Sequence, residues 1–143
     1  MRLIGIDPGD KYIGLAICDA NGTAARPLDT VIHQSRAVDL AAIVAIAQAQ
    51  EAEGFVVGLA LGNDGAPSPQ GRAAERFAEA LREASGLPVW LQDEWGSSRE
   101  AMTLMIQAGK RRRSRREQHH AAAAAAILQS YLDATPRETP QGK

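Results

Sequence analysis

The stretch Leu3-Ile4-Gly5-Ile6-Asp7-Pro8-Gly9-Asp10-Lys11-Tyr12-Ile13-Gly14-Leu15-Ala16-Ile17 decides the fold. An apolar strand delivers a carboxylate, Asp7, to its C-terminal end, and a second apolar run carries the chain back. Between them Pro8 fixes φ and lacks an N–H, while Gly9 permits φ > 0, so the pair reads as a hairpin connection. Burying a charge is costly unless a cation meets it. Asp7 therefore has two readings, a turn residue that accepts N–H groups or a ligand for a cation. Convergence of other ligands on it decides between them.

Working outward, strands are expected at Arg2–Asp7, Ile13–Cys18 and Pro27–Ile32, with turns at Pro8-Gly9 and Asn21-Gly22, which is an antiparallel meander. From Arg36 to Gln50 the residues Val38, Leu40, Ala41, Ile43, Val44 and Ala47 fit one helical face, and Gly54 reads as the stop signal. Phe55–Leu59 is a short buried strand, parallel to the first after its helical crossover. A Gly-, Asn-, Asp-, Ser- and Pro-rich loop follows over 60–69. Gln70–Ala84 reads as a helix ended by Gly86, and Leu87–Gln92 as a strand that runs into Asp93-Glu94.

A helix is then expected over Ser98–Ala108, with Gly109 as its stop. Ser114 and Glu117 match a capping box that opens the last helix, which runs through Ala121–Ala126 to about Leu132. Alanine has the highest helix propensity and a small side chain, so this helix can lie close to a sheet. The order predicts an α/β fold: a mixed five-stranded sheet, antiparallel meander plus two parallel strands, with helices on both faces. A single domain over 1–134 and a flexible tail over 135–143 are expected.

Ligands of such sheets gather at the carboxyl ends of the parallel strands. Asp7 ends the first strand, Asp93 and Glu94 end the fifth, and Asn63-Asp64 follow the fourth. Carboxylates from separate segments thus meet at one edge, which favours the cation-ligand reading of Asp7.

At 143 residues, 45% hydrophobic and 23% charged, the composition is that of an ordinary globular domain. The formal net charge of −1 conceals an uneven distribution, because six of the sixteen basic residues fall within 110–116. The single Cys18 excludes an internal disulfide and a Cys-rich zinc site. No apolar run approaches the roughly 20 residues of a membrane span, and the chain enters a strand at once, so a cytoplasmic protein without a targeting segment is expected.

Gly5-Ile6-Asp7-Pro8-Gly9, Gly14-Leu15-Ala16, Val57-Gly58-Leu59-Ala60-Leu61 with Asp64-Gly65, Asp93-Glu94 and Ala125–Leu132 together resemble the YqgF/RuvX family of RNase H-like nucleases. Each motif alone is weak; their order over about 130 residues is specific. The resemblance implies an RNase H-like fold, a metal-dependent nuclease of the two-metal kind, and three acidic positions. Asp7 and Glu94 match two of these. The third, where relatives carry an Asp opening the last helix, falls on His120.

Two further departures are Trp95-Gly96-Ser97-Ser98, where relatives usually carry Arg and Thr, and Asp10. In the related RuvC resolvases a His can occupy a comparable site, and neutral imidazole is a common ligand for Mn²⁺, whereas carboxylate oxygen suits Mg²⁺ better. His120 is thus either a ligand or a polar residue of the helix's first turn. Asp64 and Asp93 are the fallback oxygen donors. With Mg²⁺ or Mn²⁺ held by Asp7, Glu94 and His120, the implied reaction is hydrolysis of a nucleic-acid backbone, for which two cations roughly 3.5–4 Å apart activate water and relieve transition-state charge.

Lys110, Arg111, Arg112, Arg113, Arg115 and Arg116 form the candidate phosphate-backbone contact. A solvated loop is the alternative, but Arg115 and Arg116 stand in a helical first turn, where the macrodipole disfavours cations, which suggests a use. Lys11, Arg72 and Trp95 are further candidate contacts, Trp95 by stacking on an unpaired base or else by packing; Trp90 reads as core. The resemblance implies two substrates, the 5′ end of precursor 16S ribosomal RNA and the Holliday junction. The second requires a C₂ homodimer. Competing classes are a non-catalytic nucleic-acid-binding module and a phosphotransferase or ATPase of the actin type. The latter needs two such domains.

Overall fold

The structure is a computed structural model that describes residues 1–9, 11–59, 69–93 and 115–134; the side chains of 69–70, 93 and 115–119 stand outside that description. The chain runs β1 (Leu3–Asp7), β2 (Tyr12–Cys18), β3 (Ala25–Ile32), α1 (Arg36–Ala49), β4 (Gly54–Leu59), α2 (Pro69–Ser85), β5 (Val89–Asp93) and α3 (Arg115–Ala134). The strands form one sheet in the order β3-β2-β1-β4-β5. β1–β2 and β2–β3 pair antiparallel, β1–β4 and β4–β5 parallel. This is the mixed sheet the sequence predicts. The loop over 60–68, the expected helix 98–108 and the tail over 135–143 lie outside the described residues.

Pleating sorts the apolar side chains into two cores. Ile4, Ile6, Ile13, Leu15, Phe55 and Val57 meet Leu40 and Ile43 of α1 and Phe77 and Leu81 of α2. On the other face Leu3, Ala16, Cys18 and Val56 meet Ala124, Ile127 and Leu128 of α3. Trp90 packs against this second core and stacks on Tyr131 at 5.9 Å between ring centroids, as a core residue. Alanine and glycine permit the close approach of α3. A Cβ on Gly5 would lie 2.8 Å from the Ala124 carbonyl oxygen, so the helix backbone occupies the space a side chain would need.

α1 ends where expected, with Gln50 as its cap, but the stop is not Gly54, which belongs to β4; Glu51 adopts the left-handed conformation at φ 57°. Gly54 is instead a packing residue: a Cβ there would fall 2.8 Å from Cζ3 of Trp90. Most other bounds shift by a residue or two. β3 starts two residues early, at Ala25, whose N–H donates to Oε1 of Gln129 at 2.9 Å. Pro27 is tolerated inside it because β3 is an edge strand. β5 starts late, at Val89, since the Leu87 N–H is engaged by the Ser85 hydroxyl after the left-handed Gly86.

Away from the carboxyl edge, Cys18 is buried, accepts from the Leu3 N–H at 3.2 Å and donates to the Met1 carbonyl, and its burial pushes the thiol above its ordinary pKa. Asp39, also buried, accepts from the Gln34 N–H and pairs with Nδ1 of His33. Among the described residues no helix is long and apolar enough to cross a membrane.

Candidate active site

Asp7 is the last residue of β1 and pairs in register with Gly14 of β2. Leu3 and Gly5 face α3, so alternation places Asp7 on that face too. The helix seats on β2 at the same level. A Cβ on Gly14 would fall 1.9 Å from the carbonyl oxygen of His120 and 2.2 Å from its carbonyl carbon. Asp7 and His120 are therefore brought together by one missing side chain on the strand between them and the sheet edge.

The result is a distance of 3.8 Å between Oδ2 of Asp7 and Nδ1 of His120. That exceeds hydrogen-bond range. Two donors each about 2.1 Å from a shared divalent cation stand at most about 4.2 Å apart, so the separation fits a common ion. The side chains are 20% and 26% exposed, and Nδ1 itself is buried. One hard carboxylate oxygen and one imidazole nitrogen suit a first-row divalent ion. Among the described residues no third His, Cys, Asp or Glu completes a cluster with them.

Glu94, the third ligand expected from sequence, lies outside the described residues, as do Asp64, Asp10 and Trp95. Asp93 is the last residue of β5 and pairs in register with Leu59. Its strand lies two positions from β1, about 10 Å across the sheet at ordinary strand spacing. Lys110, Arg111, Arg112 and Arg113 also fall outside; Arg115 and Arg116 occupy the start of α3, their side chains beyond description. Lys11 is exposed beside the hairpin. Arg72 is exposed in the first turns of α2, on the sheet face opposite α3, so it does not share a face with Asp7 and His120.

Sequence reading missed Tyr12. Its ring centroid lies 5.4 Å from that of His120, with the planes inclined 32°. Local pattern carries no signal for a contact between residues so far apart in the chain. Gly9 has a similar constraint, because a Cβ there would sit 2.4 Å from the Tyr12 carbonyl oxygen and 3.6 Å from Cε1 of His120. Ala124 and Ile127, which follow His120 along the same helical face, are buried, and Tyr131 further along it is partly buried.

The RuvX family model, described as Holliday junction resolvase, matches residues 1–134. A protein of Syntrophus aciditrophicus (strain SB) is 39% identical over 138 residues, 96% of this chain and 92% of the relative. One of Anaeromyxobacter sp. (strain Fw109-5) is 44% identical over 133 residues, 93% and 97% of the two chains. Both are named "Putative pre-16S rRNA nuclease". Among solved structures, Thermus thermophilus RuvC superposes with a TM-score of 0.62 at 19% identity, over 94% of this chain and 95% of that one. The fowlpox virus Holliday junction resolvase gives 0.59 at 13%, over 94% and 100%. These two likenesses concern the fold, and the fold is RNase H-like.

Proposed function

The chain belongs to the RuvX family, and from that membership we propose that it is a divalent-metal-dependent nuclease acting on the 5′ end of precursor 16S ribosomal RNA. The substrate follows the names of its relatives. The observation that carries the chemistry is the approach of His120 to Asp7 at 3.8 Å, at the carboxyl edge of the sheet.

Asp7 and His120 would hold the cation, with Glu94 as the further carboxylate the sequence offers. When bound, a divalent cation supplies charge neutralisation at a scissile phosphate and lowers the pKa of water to make it a nucleophile. The protein's own part is placement. β1 fixes Asp7 through its ladder to Gly14, and the seat of α3 on Gly14 fixes the His120 backbone. The basic run at 110–116 would track the phosphate backbone without reading bases, so binding should weaken steeply with salt.

The family description favours a second substrate, the Holliday junction. Cleavage of labelled precursor RNA and of a four-way junction, side by side with Mn²⁺ and with Mg²⁺, tests both. Wild type should cleave the RNA, and Asp7→Asn should lose at least about 100-fold, more than the typical loss on removing a partner of a metal ligand. Junction cleavage without RNA cleavage would transfer the assignment to the second substrate. Nucleic-acid binding without cleavage by either ion would leave a non-catalytic module.

A further inference from the structure

His120 packs against the hairpin that carries Asp7. Nδ1 is buried and lies 3.8 Å from Oδ2 of Asp7, a Cβ on Gly9 would stand 3.6 Å from Cε1, and the Tyr12 ring centroid stands 5.4 Å from that of the imidazole. Three residues of one short segment thus address one side chain that arrives from the far end of the chain. Asp7 has a place in the proposed chemistry; Tyr12 has none.

We infer that Tyr12 is a positioning residue for His120, its ring holding the imidazole plane so that Nδ1 stays turned toward Asp7. The inference rests on the reading of His120 as a metal ligand. An imidazole whose ring turns over about Cβ–Cγ exchanges Nδ1 for a carbon, and the donor is then lost from the site. A tilted ring contact within about 4.5–7 Å opposes that rotation through shape and quadrupole. Tyr12 is itself immobile enough for the task. It is the first residue of β2, half-buried and paired in register with Ile32. Its carbonyl oxygen also packs against Gly9, leaving no room there for a Cβ. Hydrogen-bonding partners that orient a metal ligand typically contribute about 10–100-fold to metal affinity, and a ring contact with the same task is set at the lower end of that range.

The test is calorimetric titration with MnCl₂, together with pulsed electron paramagnetic resonance of bound Mn²⁺, on wild type, Tyr12→Phe, Tyr12→Leu and His120→Ala. The ring, not the hydroxyl, is the working part. Tyr12→Phe should therefore bind Mn²⁺ as wild type does and keep the nitrogen coupling of a directly bound imidazole. Tyr12→Leu should bind about 10-fold more weakly and lose much of that coupling, with its thermal midpoint close to that of wild type. Tyr12→Met replaces it if the leucine variant does not fold. Unchanged Mn²⁺ affinity and coupling in Tyr12→Leu, while His120→Ala loses both, overturns the positioning role and leaves the ligand reading intact. Wild-type affinity in His120→Ala overturns the ligand reading itself. Equal losses in Tyr12→Phe and Tyr12→Leu assign the effect to the hydroxyl and overturn the ring contact.

Discussion

Gly14 lies directly beneath the carbonyl of His120, so close that a Cβ on Gly14 would stand 1.9 Å from that oxygen. The obstacle is backbone on both sides, and no rotamer change relieves it. Gly14→Ala should therefore force α3 away from β2 and part His120 from Asp7. We expect a loss of about 3 kcal/mol or more, the upper end of overpacking costs, read from urea unfolding midpoints. A loss below about 1 kcal/mol would mean that the helix can slide at no great expense.

The nitrogen donor at position 120 should set the choice of ion. Mg²⁺ is a hard ion that takes oxygen ligands, so an imidazole nitrogen in place of a carboxylate weakens it more than it weakens Mn²⁺. His120→Asp should narrow the ratio of Mn²⁺ to Mg²⁺ affinity by about 10-fold, measured by competition titration. An unchanged ratio would show that position 120 does not contact the ion.

Cys18 should be silent toward thiol reagents in the folded protein. Its burial raises the thiol pKa, so at about pH 8 the native chain should not react with Ellman's reagent, whereas the unfolded chain should react fully. The sign for stability follows. The unfolded thiol ionises first as pH rises, so stability present below its ordinary pKa of 9.0 is lost as pH climbs toward the raised native value. Cys18→Ala should show a smaller alkaline loss than wild type in the same unfolding series.

Glu51, at φ 57°, holds a conformation that glycine adopts without a Cβ penalty. Glu51→Gly should stabilise the chain by about 0.5–1 kcal/mol, because the left-handed penalty removed outweighs the added freedom of the unfolded chain. Thermal unfolding checks this, and a lowered midpoint would refute it.

Most of the sheet was legible in the sequence, because apolar runs, Gly and Pro punctuate it locally. Asp7 was legible for the same reason: a strand that ends in a carboxylate is a local anomaly. His120 is picked out only by the resemblance, on counting back from Ile127-Leu128-Gln129 to the position where relatives carry an Asp. What stayed hidden depends on contacts across the chain. Gly54 reads as a helix stop by position, yet it is small because Trp90 lies over it. The early start of β3 depends on the Gln129 amide, which reaches it from α3. Tyr12 looks like any strand residue until α3 is laid beside it.

Asp7 stands on the first strand of the sheet, and His120 on a helix that follows all five strands. The hairpin, the ladder and the carboxylate belong to the sheet alone, whereas the 3.8 Å approach of His120 exists only once α3 has docked. The distance between these two side chains is therefore a gauge of whether the fold is complete: a chain with its sheet formed and α3 undocked holds Asp7 without its partner.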